Sequence, residues 1–500
     1  MNSTNNAIFL DLKDAIISHK DRNAFFINDV YYSYSELAQC ISNIRSLLKK
    51  ETTAAEKIIG IITNDDLETY ASIIALWYEG KAYVPINPDL PFDRNESIIN
   101  EAEIVTIIDS SEISIFPNRN TLKSKKIESV VIDLNPKKSA ENELVYLLFT
   151  SGTTGKPKGV PITKENLTGF INAFWDLGYD ITKDDRFLQM FELTFDLSVM
   201  SYLIPLLKGA CVYLVPKDKI KYSYIFELME EQELTVALMV PSILYYLRPY
   251  FDEIDLPKMR YSLFCGEALS LDITKEWSNC LPNAQITNVY GPTEDTIFCT
   301  FYDFLRTEQN KSYNGILSIG KSMKQNYTII VNEENEILKP GNIGQLCLGG
   351  IQLTPGYWKN VEKNKESFFN TNYNNKEERF YKTGDLCKSD ENGDLLYIGR
   401  MDFQTKIQGF RVELSEIEFY AKEFLSKMNV VVFTLLDDLG NNEVAMVIES
   451  KPFDFKELID YMKTKLPYYM VPKKVAFIDV FPLNSNGKTD RKKLETVFIN

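Results

Sequence analysis

Histidine is all but missing: the 500 residues contain one, His19, in an expected N-terminal helix far from every motif below. Ser-His-Asp hydrolysis, His-ligated metal catalysis and His general-base chemistry are therefore almost excluded. Cysteine is sparse: the seven (Cys40, Cys211, Cys265, Cys280, Cys299, Cys347, Cys387) are scattered, odd in number and without a CxxC pair. That distribution argues against a disulfide framework or zinc site and for a reducing, cytoplasmic setting. Positive charge is also short. The net charge of −15 disfavours nucleic acid or an anionic membrane as the main partner. No apolar run reaches the roughly 20 residues that span a bilayer. The opening MNSTNNAIFLDLKD lacks the basic and apolar regions of a signal peptide.

What is present reads as a globular enzyme. Hydrophobic residues make up 44% and charged residues 25%, and the length predicts two or three domains. From Ile58 short β-branched runs alternate with amphipathic segments. KIIGIIT, KAYVPI, IVTIID and VVIDL read as strands, with helices over 65–79 and 91–102. The rhythm continues with a helix over 164–177, strand CVYLV, a helix over 224–232 and strand TVALMV. Such alternation predicts parallel sheets covered by helices, in two wound halves. From about Ser312 the runs shorten and are broken by Asn-Glu, Pro-Gly and Gly-Gly, predicting hairpins in a small β-rich subdomain. Beyond Gly399–Phe403 a compact α+β piece is expected: helices over 413–425 and 454–466 with strands NVVVFTLL, VAMVIES and VAFIDV.

The chemistry concentrates in LVYLLFTSGTTGKPKG, residues 144–159. An apolar run reads as a strand buried on both faces. It leads into Thr150–Gly159, where glycines admit backbone amides to an anion while hydroxyls and lysines add donors and charge. This phosphate loop is not of the Walker type, because Lys156 precedes Pro157 and not Ser or Thr. A Gly/Thr surface loop is the plainer alternative.

Together with NVYGPTE (288–294), YKTGDL (381–386), GRMDFQTKIQGFRVELSEIE (399–418) and NSNGKTDRKKL (484–494), that stretch resembles the adenylate-forming ligases. These include acyl-CoA synthetases, luciferases and nonribosomal-peptide adenylation domains. The motifs stand in the family's order across essentially the whole chain. The resemblance implies an α/β fold: a large N-terminal domain of two wound βαβ-type subdomains plus a small β-rich subdomain, and a small mobile α+β C-terminal domain. The expected division is 1–398 for the adenylation core, 399–403 for a hinge and 404–500 for the lid. It implies that a carboxylate attacks the α-phosphate of ATP, with Mg²⁺, to give an acyl-adenylate and pyrophosphate, after which a thiol displaces AMP. Both steps need charge neutralisation and alignment and no covalent participation by the protein.

Residue by residue, the resemblance assigns the β- and γ-phosphates to Thr150, Ser151, Gly152, Thr153, Thr154 and Gly155, with Lys158 as added charge. In Asn288, Val289, Tyr290, Gly291, Pro292 and Thr293, Tyr290 would cover the adenine face, Asn288 its edge, and Thr293 the α-phosphate. Glu294 would hold Mg²⁺, a hard cation suited to carboxylate oxygen. Asp385 would take the ribose diol, beside Tyr397 and Arg400. Asp402 matches the hinge, Gly409 the loop that meets the thiol, and Lys488 the catalytic ammonium bridging carboxylate and α-phosphate. Alternatives stay open: a core aromatic for Tyr290, a Gly-Asp turn at Asp385, a first-turn carboxylate for Glu294, a solvated basic tail for Lys488.

Asp196, in FELTFDLSVM, matches the aspartate that pairs with a substrate α-ammonium in amino-acid-activating members. An unpaired cation in an apolar pocket is costly, which is the physical reason for a carboxylate there; a helix N-cap is the alternative. The family's pocket lining falls on Asp196, Leu197, Met200, Leu263, Cys265, Val289, Ile297 and Phe298, and on Ser242. FDLSVM, LFCGE and GKTDRKKL are especially similar to D-alanine–carrier protein ligases, while Val289 and Phe298 depart from them. A small amino acid, D-alanine first, is the expected substrate, and a phosphopantetheinylated carrier protein the expected acceptor. Because the chain stops at 500 without a carrier or condensation domain, a stand-alone ligase is expected. An adenylation enzyme for another amino acid, an acyl-CoA synthetase and an inactive nucleotide-binding scaffold are the alternatives.

Overall fold

A computed structural model describes residues 7–498 except 126, 153–156, 308, 403, 427 and 483–488, and at 492 the backbone alone. The β-α-β rhythm folds as two sheets. In the larger, the strands Gln285–Tyr290, Tyr261–Phe264, Val236–Met239, Arg186–Gln189, Cys211–Leu214 and Asn23–Ile27 lie side by side and parallel. Antiparallel strands close its edges: Thr300–Asp303 and Lys321–Ser322 on one side, Val30–Ser33 on the other. The second sheet runs Asn120–Lys123, Thr106–Asp109, Ile58–Ile62, Ala82–Ile86, Leu144–Thr150 and Lys158–Thr163. Its first five strands pair in parallel. Strands buried on both faces need apolar residues at consecutive positions, which is what IIGII and AYVPI supply.

The helix Leu67–Tyr78 is buried on nearly every side. Asp66 caps it by accepting from the Thr69 amide. Its Tyr70 ring lies 4.9 Å from Phe25 of the larger sheet and its Trp77 ring 6.2 Å from Tyr83 of the second. One apolar core thus serves both halves.

VVIDL does not form the expected strand. Residues 127–140 run without sheet partners, and the helix Tyr34–Glu51 supplies their hydrogen bonds instead. Asn43 Oδ1 accepts from the Val130 amide and Ser42 Oγ from that of Asp133, while the Arg45 guanidinium donates to the carbonyls of Asp133 and Asn135. Backbone polar groups had to be satisfied, and side chains did it in place of a ladder. Val131, 91% exposed, reads as strand only by propensity.

The β-rich stretch is a five-stranded sheet in which Asn326–Val331, Gly344–Gly350, Lys376–Ser389 and Phe368–Tyr373 pair antiparallel in that order and Leu395–Arg400 also pairs with Lys376–Ser389. By contact density the chain divides into two compact units. One holds Met1–Pro88, Ile99–Phe149 and Gly159–Gly399; the other holds Asp89–Ile98, Thr150–Lys158 and Arg400–Asn500. The second unit contains the hairpin Gln404–Ile407/Phe410–Glu413, the sheet Val430–Leu436/Asn442–Glu449/Lys474–Ile478, and the helices Leu414–Leu425 and Lys456–Lys465 around their own core.

Candidate active site

Several of the expected site residues stand at the carboxyl ends of the larger sheet's parallel strands, where open α/β sheets hold ligands. Leu263 and Cys265 lie at the end of Tyr261–Phe264, Val289 and Tyr290 at the end of Gln285–Tyr290, and Ser242 just beyond Val236–Met239. Asp196 stands at the N-cap position of the helix Leu197–Leu206, yet its side chain does not cap it. Instead Oδ2 accepts from the Ile297 amide at 3.1 Å, across 101 residues of sequence. This carboxylate is aimed away from its own helix. Every residue of the expected lining is buried: Phe298 at 0% exposure, Met200, Leu263 and Ile297 at 1%, Leu197, Cys265 and Val289 at 2%, Asp196 at 3%, Ser242 at 4%. The Phe298 ring packs edge-on against Phe170 at 5.0 Å.

The loop carrying Ile297 and Phe298 is strained. Thr296 and Ile297 have φ of 50° and 74°, in the left-handed region that β-branched residues avoid. At its start Gly291 is required by close approach, because a Cβ there would lie 2.4 Å from Phe298 Cα. Thr293–Asp295 forms a single 3-10 turn. Glu294 is fully buried; it accepts the Tyr357 hydroxyl at 2.6 Å, and its backbone carbonyl accepts from the Thr354 amide at 2.9 Å. Burial raises the neighbouring Asp295 carboxyl to about 7, opposed by the nearby Cys299 thiol and with a smaller push from Glu294.

Next to this loop, the Tyr290 hydroxyl donates to Asp385 Oδ2. Burial, then the Asp385 charge, holds the Tyr290 phenol well above its usual range. Tyr290 and Tyr397 pack on one cluster that includes Cys299, Leu346 and Cys387. Asn288 is 2% exposed and donates to the carbonyls of Leu317 and Ser318. Pro292 and Thr293 are half-buried.

Within the second unit, Ser151 Oγ donates to the Arg411 carbonyl at 2.7 Å and Gly152 is buried. Lys158 Nζ lies 3.3 Å from Glu413 Oε1, so the ammonium expected to meet phosphate faces a carboxylate. Thr150 Oγ1 is buried with no hydrogen-bond partner among the described residues. Arg400 grips Asp402 through two nitrogens at 2.9 and 2.7 Å. Gln408 and Gly409, with φ of 51° and 83°, make the two-residue turn of the hairpin after 404–407, as a type I′ turn requires. Thr153, Thr154, Gly155 and Lys488 lie outside the described residues.

Sequence reasoning missed Gln352, Tyr357 and Thr354, which hold the loop from elsewhere. The run LTPGYW following Gln352 has the composition of an ordinary turn; no local signal marks a buried glutamine as an anchor. Among the described residues no group of three or more His, Cys, Asp or Glu gathers as a metal site.

The chain is similar in sequence to one of the linear gramicidin synthase proteins of Brevibacillus parabrevis, at 31% identity over 489 residues, 95% of this chain and 9% of that protein. It is 30% identical to tyrocidine synthase 1 of the same organism over 95% of this chain and 43% of the relative. It therefore spans less than half the length of these curated relatives. Among solved structures, the Vibrio cholerae adenylation domain AlmE in complex with glycyl-adenosine-5'-phosphate superposes with a TM-score of 0.88 and 25% identity, covering 100% of this chain and 99% of that one. PA1221, an NRPS protein containing adenylation and PCP domains, shares the fold at a TM-score of 0.84 and 22% identity, over 98% and 84% of the two chains. The model of the AMP-binding enzyme family matches residues 12–358. With its wound α/β sheets and the motifs of the adenylate-forming ligases, the chain belongs to the AMP-binding enzyme family.

Proposed function

We propose that the protein activates a small amino acid with ATP, releasing pyrophosphate, and passes the aminoacyl group to the phosphopantetheine thiol of a carrier protein in the cytoplasm. The observation that carries this reading is Asp196: a carboxylate 3% exposed among apolar side chains and turned from its own helix toward Ile297. A buried anion in such a place calls for a cation, and an α-ammonium supplies one. A fatty or aryl acid brings no cation to that carboxylate, which weighs against an acyl-CoA synthetase.

The burial of the lining supports a small substrate. A side chain facing a cavity of phenyl size would expose area to a water-sized sphere, yet none of the nine exceeds 4%. D-alanine, favoured by the motifs, is joined by glycine, the aminoacyl group in the AlmE complex. A carrier acceptor is supported by the likeness to adenylation and PCP proteins.

For magnesium, Glu294 fits the way that ion is held beside nucleotides: one carboxylate, with phosphates and water completing the shell. Its fixed Tyr357 hydrogen bond orients the carboxylate for that task. In this reading Tyr290, Asp385 and Tyr397 hold the nucleoside, Thr150–Gly155 and Lys158 the phosphates, and Arg400 completes the ribose side. Lys488 bridges the reacting anions, Asp402 is the hinge and Gly409 meets the thiol, with the core ending at 398 and the lid beginning at 404.

Amino-acid-dependent ATP–pyrophosphate exchange over the twenty amino acids and D-alanine tests the proposal. Exchange with glycine or D-alanine above all others is expected, and a drop of about 10²–10³ in Lys488→Ala. Exchange with none, or only with carboxylates lacking an amine, refutes it.

A further inference from the structure

The loop 291–298 has two sets of anchors, and they divide by function. Glu294 is held by the Tyr357 hydroxyl and by Thr354. The half that bears Ile297 and Phe298 is held instead by Gln352, a fully buried side chain. Gln352 Nε2 lies 3.2, 3.1 and 2.9 Å from the carbonyls of Asp295, Thr296 and Phe298, its two N–H bonds shared among the three. Its own backbone carbonyl accepts the Thr296 hydroxyl at 2.6 Å. The amide cannot turn over, because Asn326 Nδ2 donates to Gln352 Oε1 at 2.5 Å and fixes which end is oxygen.

Left-handed backbone at Thr296 and Ile297 persists only if its surroundings over-determine it. Here one amide does so by collecting carbonyls that would otherwise point into a dry interior. Its grip reaches the substrate through a short chain: Gln352 sets Phe298 and Thr296, these set the Ile297 amide, and that amide donates to Asp196.

We propose that Gln352 is a positioning residue for the amino-acid half of the site, fixing the Asp196 carboxylate and the Ile297–Phe298 wall while the nucleotide half depends on other anchors. The inference rests on the reading of Asp196 as the ammonium partner. It assigns to Gln352 both affinity for the amino acid and rejection of larger side chains, since a released wall can retreat.

The test replaces the amide by a side chain of similar length without donors, Gln352→Met, and by its charged isostere, Gln352→Glu. Each is measured by pyrophosphate exchange with ATP and amino acid varied separately, beside a thermal melt. A rise of about 10- to 100-fold in amino-acid KM is expected, the range for loss of buried hydrogen bonds. ATP KM should stay within about threefold, and the ratio of kcat/KM for glycine over leucine should fall. Should neither variant fold, Asn326→Ser, which leaves Gln352 in place but frees its amide to flip, is expected to shift the same KM in the same direction. Tyr357→Phe is the contrasting change: it should raise the magnesium requirement and leave amino-acid KM alone. Equal rises in both KM values, or an unchanged amino-acid KM in a folded variant, would overturn the proposal. Absence of amino-acid-dependent exchange in the wild-type protein would instead overturn the reading of Asp196 on which it rests.

Discussion

Replacing Asp196 by asparagine removes a charge and little else. The amide oxygen can still accept from the Ile297 amide as Oδ2 does now at 3.1 Å, and the volume is conserved. What disappears is the attraction for an ammonium. For unit charges about 4 Å apart at an effective dielectric near 20, that attraction is about 4 kcal/mol. Truncating one member of a buried, hydrogen-bonded charge pair costs about 2–5 kcal/mol, so about 3 kcal/mol is a fair expectation. That corresponds to roughly a hundredfold loss in kcat/KM for glycine or D-alanine in pyrophosphate exchange.

The same change has a second, opposite consequence. In the wild-type protein a carboxylate without an amine, such as acetate or propionate, brings a second anion and no ammonium to Asp196, itself 3% exposed. Asparagine lifts that penalty, so activity toward acetate should rise while activity toward glycine falls. A general loss of folding cannot produce opposite signs on two substrates. The reasoning fails if Asp196→Asn keeps amino-acid kcat/KM within about threefold of wild type, or if the glycine-to-acetate ratio does not move.

Gly291→Ala places a methyl 2.4 Å from Phe298 Cα, a backbone atom with no rotamer to yield. Exchange activity should fall at least about tenfold with a lower melting temperature; an unchanged melt and activity would contradict the close approach. Arg45 Nε lies 2.9 Å from Glu79 Oε1 with both side chains all but inaccessible, and Arg45 also holds the carbonyls of Asp133 and Asn135. Arg45→Met strands Glu79 and should cost about 3–5 kcal/mol in urea unfolding, less whatever Lys49 and Lys137 recover. Asp65 has its carboxyl raised to about 6 by burial, opposed by the charge of Lys217 and reinforced by Glu192. Its neutral form is favoured in the fold, so the unfolded chain loses its proton first as pH rises from about 4 to 6, and stability falls over that window. A two-unit shift corresponds to about 3 kcal/mol at most. Asp65→Asn, which suits the left-handed φ of 53°, should flatten that slope; an identical slope in the two proteins would refute it.

Much of this arrangement was legible from pattern alone. Buried parallel strands announce themselves as unbroken apolar runs, so Ile58–Ile62, Ala82–Ile86 and Leu144–Thr150 stand within a residue or two of where periodicity put them. Asp196 was readable as a residue just before a helix, and two motifs 95 positions apart named Tyr290 and Asp385, which the fold brings into hydrogen-bond contact. Local pattern failed where the decisive partner is distant or is a side chain. VVIDL has strand composition, but composition carries no information about whether a neighbouring strand exists to pair with it. The turn at Gln408–Gly409 was recognisable only in its glycine, because glutamine seldom takes positive φ.

The loop after Gly291 shows why a site can contradict propensity and still be well specified. DTIF would read as the beginning of a strand, and two of its residues instead take the backbone conformation they most disfavour. The strain is of order 1–3 kcal/mol per residue. It is offset not by anything adjacent in sequence but by Gln352 and Tyr357, more than fifty residues away on the segment that follows Gly344–Gly350. Relaxing the loop to strand would turn the Ile297 amide away from Asp196 and withdraw the Phe298 carbonyl from Gln352. The conformation that costs most locally is therefore the one that lets a single short loop present a carboxylate at Glu294 and an amide at Ile297 three residues apart.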